Sequence, residues 1–204
     1  MKCLVPLLAG WLLALSCACA QENSPDAMIR KITEEVLSVV RQDKDIQGGD
    51  TEKAIRLVEA KVLPHFDFQR MTALAMGREW RKATAEQQKR LADEFRTLLV
   101  RTYSNALTGY KDEAVSYKQT RMQPNDTEAT VRSEIAQPGG KPIRLDYSVE
   151  KQPDGWKVYD VIVTGVSLVT NYRDTFAQEV RAHGVDGLIK MLSDKNRQLE
   201  AGKK

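Results

Sequence analysis

Apolar residues recur three and four positions apart through the first half of the chain and every second position in the third quarter. Helical spacing then returns. Ser24-Pro25-Asp26 reads as a helix start, with Ser as N-cap and Pro in the first turn. Ile29, Ile32, Val36 and Val39 follow on one predicted face, up to Gln47-Gly48-Gly49-Asp50. A second helix is expected from Thr51 to Leu63, with Ile55, Val58 and Val62 as its apolar face and Pro64 as its end. A third covers Phe68 to Met76 and stops at Gly77. Thr84 and Gln87 have the spacing of a capping box before the longest helix, whose stripe is Leu91, Phe95, Leu98, Thr102 and Ala106.

From Val115 the period is two. Val115-Ser116-Tyr117 begins a weak strand, and Ala129, Val131, Ser133 and Ile135 alternate with polar residues. Pro138-Gly139-Gly140 is a turn, and Ile143, Leu145, Tyr147 and Val149 make the next inward row. Pro153-Asp154-Gly155 is a second turn, followed by Trp156 to Val163, which carries apolar residues at both parities. Short turns between consecutive strands predict an antiparallel meander of about four strands. Gly165 ends it. A helix from about Leu168 to Ala182 and a last one holding Leu188, Ile189, Met191 and Leu192, separated by Gly184, complete the pattern. Helices, a meander and helices again predict an α+β domain.

Residues 1–20 stand apart from this plan. One Lys precedes an apolar run from Leu4 to Leu15 that ends in Ala18-Cys19-Ala20, the layout of a secretory signal peptide. The run is short for a transmembrane helix. A lipoprotein signal would acylate Cys17 or Cys19, and neither has Leu three positions before it. Cleavage after Ala20 is therefore expected, leaving a soluble domain over residues 21–204. It removes all three cysteines, Cys3, Cys17 and Cys19, and with them any disulfide, thiol nucleophile or thiolate metal site. With 31 basic and 28 acidic residues, the charge is too balanced to argue for nucleic acid.

Candidate chemistry is sparse. No phosphate loop, zinc-binding helix motif or nucleophile elbow is present, so no catalytic, cofactor or metal residue is assigned. Gly139-Gly140-Lys141 lies between strands and reads as a hairpin turn. His65 and His183 lie at helix ends, and Asn125-Asp126-Thr127 reads as turn chemistry. Asp160 sits in an otherwise apolar strand. Buried there it needs a partner or a raised pKa. It is either a general base of a small-molecule enzyme or a structural acid paired with Arg173 or with backbone N–H groups. Arg78, Arg81, Lys82, Lys89 and Arg90 surround Trp80, which suits either a docking patch for anionic headgroups or a protein, or a solvated helix start with Trp80 turned inward.

Two blocks carry a resemblance. One is Gly155-Trp156-Lys157-Val158-Tyr159-Asp160 through Gly165-Val166-Ser167-Leu168 to Asn171-Tyr172-Arg173 and Phe176. The other is Phe68 to Ala75 with Gly77 and Trp80, then Gln87, Phe95, Leu98-Leu99 and Tyr103. Together they resemble the MlaC/toluene-tolerance family of periplasmic phospholipid-binding proteins, over nearly the whole chain after residue 20. The resemblance implies a nuclear-transport-factor-like antiparallel sheet wrapped by N- and C-terminal helices around an apolar cavity. It implies a monomeric, non-enzymatic shuttle that carries phospholipid between an outer-membrane lipoprotein complex and an inner-membrane ABC transporter with an MCE-domain subunit, maintaining outer-membrane lipid asymmetry. Lipid tails are then expected between the long helix, the sheet and the Leu168–Ala182 helix, lined by Leu98, Tyr103, Leu107, Tyr147, Val149, Val163, Val166, Leu168 and Tyr172. A periplasmic adaptor or chaperone without a cavity remains the alternative beside the enzyme. N-terminal sequencing of the exported protein should begin at Gln21; a diacylglyceryl group on Cys17 or Cys19 would overturn the cleavage site.

Overall fold

The computed structural model describes residues 24–202, so the signal segment lies outside the described residues. Helix α1 (Pro25–Gln42) starts where Ser24 accepts the Ala27 N–H at 3.1 Å. It buries Ile29, Val36 and Val40, whereas Val39 is exposed. Eleven residues are three helical turns, so Val40 shares the azimuth of Ile29, and Val39 is rotated off it by about 100°. A short helix α2 (Lys44–Gln47) leads into α3 (Thr51–Lys61), capped by Asp50. The residues α3 buries are Ala54 and Leu57. The expected face of Ile55, Val58 and Val62 is only half-buried, because Val58 and Val62 border a cavity, Val62 while also packing on the cluster of Val36 and Leu57.

A 3-10 turn (Leu63–His65) delivers the chain to the sheet, where Asp67 N–H donates to the Val158 carbonyl at 2.9 Å. Helix α4 (Phe68–Met76) is capped by Asp67 and stopped by Gly77, whose φ of +57° suits the missing Cβ. After a 3-10 segment (Gly77–Lys82), the Thr84/Gln87 capping box opens α5 (Ala85–Tyr103) as expected. A further 3-10 turn (Ser104–Leu107) ends it.

The sheet is an antiparallel meander of five strands in sequential order: β1 (Val115–Lys118), β2 (Glu128–Ile135), β3 (Ile143–Gln152), β4 (Gly155–Val163) and β5 (Val166–Ser167). The two-parity apolar pattern of β4 has a local cause. Val149 pairs with Val158 and Ser148 with Asp160, so Tyr159 is the extra residue of a bulge. The bulge shifts the alternation by one, and Trp156, Val158, Val161 and Val163 all reach the same sheet face.

The segment after Gly165 differs from the expected helix start at Leu168. Val166 and Ser167 pair with β4 as a fifth strand, and Thr170–Tyr172 forms a 3-10 turn. Only then does α6 (Arg173–Ala201) begin. The delay follows from Ser167, whose Oγ accepts the N–H groups of Val169 and Thr170 at 3.2 and 2.9 Å and offers the chain a turn instead of a helix. The two expected C-terminal helices form one helical path with a kink at Gly184 (φ 71°, ψ −177°).

Apolar side chains collect in three clusters. The largest joins α4, α5 and α6 around Phe95, whose ring meets Tyr172 at 5.1 Å and Phe176 at 5.2 Å. The second sets Ile29 of α1 against Val131, Val149, Trp156 and Val158 of the sheet. The third ties Val36, Val40, Ile46, Ala54 and Leu57 of α1–α3 together. Trp80 turns inward against the first cluster, while Arg78, Arg81, Lys82, Lys89 and Arg90 are exposed. Truncating Phe95, fully buried at the centre of the first cluster, removes an aromatic side chain from three helices at once. Phe95→Ala should lower unfolding free energy by about 3–5 kcal/mol, read as a lower urea midpoint with an unchanged slope.

Candidate functional site

The three clusters do not fuse. Where they meet lies a cavity of about 260 Å³ lined by residues from all of them. Val36 of α1 and Val58 of α3 form one wall with Val62 and Leu63, and Phe66, Phe68 and Met71 form another at the start of α4. Leu99, Val100, Tyr103, Ser104 and Leu107 come from the end of α5 and the turn after it. Val161 of β4 and Leu168 close the sheet side. None of these side chains carries a formal charge. Their polar atoms are the hydroxyls of Tyr103 and Ser104 alone.

Two of the walls are held from outside by polar contacts. Arg70 of α4 pairs with Glu128 at 2.6 Å and with Glu150, and its guanidinium lies 3.6 Å from the centre of the Tyr159 ring. Gln152 bridges Glu150 at 2.9 Å and the helix cap Asp67 at 2.7 Å. This clamp fixes the first turn of α4, with Phe68 and Met71, against the sheet. On the other side Arg101 donates to the Asn196 carbonyl at 2.5 Å, and Asn196 donates to the Glu94 carbonyl at 3.0 Å, which locks α5 to α6.

Of the nine residues expected around the lipid tails, the structure brings Tyr103, Leu107 and Leu168 to this cavity. Leu98 is buried among α4, α5 and α6, and Tyr172 packs edge-to-face with Phe95. Tyr147 and Val149 share the sheet face with Val161 but pack in the cluster beneath Ile29. Burial pushes the Tyr147 hydroxyl up to about 12. Val163 is half-buried near the end of β4, and Val166 on β5 is 55% exposed. Helix α6 contributes no lining residue; α1, α3 and the Leu63–His65 turn do so instead. Val36, Val58, Phe66 and Phe68 were missed because an apolar helix face looks the same in sequence whether it meets atoms or a void. The available signal was Phe66-Asp67-Phe68, two large aromatics flanking a cap beside Pro64.

Asp160 is buried but is absent from the cavity wall. Its carboxylate accepts the Ser167 hydroxyl at 2.6 Å and the Val169 N–H at 3.3 Å. The expected backbone partner is therefore present, but Arg173 is not a partner: its guanidinium donates to the Leu74 carbonyl at 3.1 and 3.3 Å. His183 meets Glu179 at 2.8 Å, and burial beside Lys157 lowers the pKa of half-buried His65. Among the described residues no group of His, Cys, Asp and Glu is arranged to hold a metal ion, and no helix is long and apolar enough to cross a membrane.

The MlaC protein family model matches residues 30–194. The chain belongs to the MlaC family. It is 23% identical over 171 residues to the intermembrane phospholipid transport system binding protein MlaC of Haemophilus influenzae, covering 82% of this chain and 80% of that one. It is 25% identical over 165 residues to the toluene tolerance protein ttg2D of Pseudomonas putida, covering 80% of this chain and 76% of that one. A solved structure of a phospholipid-binding protein from Ralstonia solanacearum, in complex with a phospholipid, superimposes with a TM-score of 0.79 at 41% identity. That match covers 86% of this chain and 98% of the other.

Burial raises the pKa of Asp160 above the ordinary 3.8, outweighing the hydrogen bonds it accepts. The folded protein thus holds this proton more tightly than the unfolded chain does, and ionising Asp160 costs stability as pH rises through the interval above 3.8. Asp160→Asn should remove that component. Its stability relative to wild type should rise with pH over the same interval, measured by urea unfolding at a series of pH values.

Proposed function

We propose that this protein binds a phospholipid with its acyl chains in the cavity among Val58, Phe66, Leu99 and Val161 and carries it through the periplasm between membranes. The observation that carries this reading is a wholly uncharged, almost entirely apolar cavity in a chain 41% identical to a protein solved with phospholipid. Burying an acyl chain gains about 0.8 kcal/mol per methylene, and a bilayer offers nearly the same. Exchange between the carrier and a membrane is therefore close to neutral, which suits a shuttle and not a store. The reading extends to delivery between an outer-membrane lipoprotein complex and an inner-membrane ABC transporter with an MCE-domain subunit, in the service of outer-membrane lipid asymmetry. It also takes the protein to act as a binding protein without catalytic chemistry.

The cavity volume supports a ligand-dependent shape. The cavity, at about 260 Å³ with a mouth at exposed Tyr103, has apolar walls that lack the dispersion contacts that packed atoms would give. It is also slightly below the roughly 300–1,000 Å³ of ordinary ligand sites, so two acyl chains must part its walls. The wall at Leu168 is suited to this, since it follows Thr164 and Gly165, both at positive φ.

Organic extraction of the purified protein followed by mass spectrometry should release phospholipid. The delipidated protein should melt at a lower temperature than the loaded one, because the ligand binds only the folded state. Leu168→Asp, at a half-buried wall position, should fold but retain less than a tenth of the lipid. An extract without phospholipid, or equal melting temperatures, would overturn the reading.

A further inference from the structure

Ser104 is the one feature of the cavity that apolar burial leaves unexplained. It is 3% exposed, it lines the cavity, and its Oγ has no hydrogen-bond partner. A buried hydroxyl without a partner forfeits its hydration with nothing in return. Helical hydroxyls ordinarily avoid that cost by bonding the carbonyl four residues back. Thr72 does so to Phe68 at 2.6 Å and Thr97 to Asp93 at 3.0 Å. Ser104 does not. The carbonyl four residues back, that of Val100, accepts the Ser104 backbone N–H. The residue stands where α5 tightens into a 3-10 turn, which moves its side chain off the usual α-helical path.

Its surroundings say which ligand atom belongs there. Tyr103, the preceding residue and also a cavity wall, is 37% exposed and so stands at the rim. The neighbouring Tyr172 has its ionisation pushed up to about 12 by burial and by Tyr103. Ser104 is the cavity's buried hydroxyl without a partner, next in the chain to that rim residue, which puts it just inside the boundary between the rim and the apolar interior. A lipid that enters tail-first places its first polar atoms, the ester carbonyls, at that boundary. A carbonyl oxygen is an acceptor with no proton to give, which matches a free O–H donor. A serine χ1 rotation among its staggered wells turns the hydroxyl to meet it.

Resting on the phospholipid reading above, we propose that Ser104 donates a hydrogen bond to an ester carbonyl of the bound lipid. It sets how deep the lipid sits and selects ester-linked over ether-linked chains. The alkyl ether oxygen is a weaker acceptor and lies one bond away from the carbonyl position, so an ether lipid leaves the hydroxyl unpaired.

The test is a two-by-two comparison of wild type and Ser104→Ala with diester and diether phosphatidylethanolamine of equal chain length, using delipidated protein and a competition binding assay. Wild type should bind the diester about fivefold more tightly than the diether, the factor for a net hydrogen bond of about 1 kcal/mol. Ser104→Ala should bind both equally. The lipid-free variant should melt at or above the wild-type temperature, because the substitution removes an unpaired hydroxyl. Equal discrimination by wild type and variant, or an equal loss of both lipids in the variant, would overturn the proposal. Failure of wild type to bind either lipid would instead overturn the phospholipid reading itself.

Discussion

Everything distinctive in this molecule depends on three apolar clusters that come close without merging. A domain of this size normally closes one continuous core, because each void forfeits both dispersion contacts and apolar burial. Here α1–α3, the sheet with Ile29, and the α4–α6 group each complete their own packing. Residues at the edges of these groups, among them Phe66, Leu99 and Val161, face one another and Val58 across open space. The half-burial of Val58 and Val62 on a helix face that sequence would assign to the core is the same fact seen locally.

Such a gap persists only if its walls are held from behind. The Arg70 clamp does this for the first turn of α4, joining Glu128 and Glu150 on adjacent strands while Tyr159 lies under the guanidinium. The bulge that frees Tyr159 from regular pairing also shifts the phase of β4, which brings Val161 to the cavity face. One extra residue in a strand thereby serves both the clamp and the cavity. On the other side, Arg101 and the buried Asn196 fix α5 against α6. Pairing long charged side chains over the outside of an apolar cavity keeps charge off its inner wall.

The chemical plainness of the cavity has its own logic. Apolar burial is non-directional and scales with area, so it gives affinity for acyl chains without demanding a particular chain. Directional chemistry is limited to two hydroxyls, Tyr103 at the rim and Ser104 buried beside it. Asp160, the one buried carboxylate of the sheet, serves the turn through Ser167 and Val169 and stands apart from the cavity wall.

The sequence by itself determined the element order, most helix ends and the α+β class. Those features are written in local terms: Ser24, Asp67 and the Thr84/Gln87 pair as caps, Gly77 and Gly165 as stops, and alternation at period two through β2 and β3. Leu107, Leu168 and Tyr103 were recognisable as surplus apolar residues of the right segments. What periodicity cannot encode is whether an apolar face meets atoms or a void, since Val36 and Val40 have the same spacing and chemistry, yet Val36 borders the cavity and Val40 is sealed in packing. That distinction depends on how far the two helical groups settle from each other and from the sheet. Long-range contacts set that distance: Arg70 with two strands 58 and 80 residues away, and Arg101 with a residue 95 away. The tertiary structure alone therefore decided where the cavity lies, which residues line it, and that α6 packs into the cluster around Phe95.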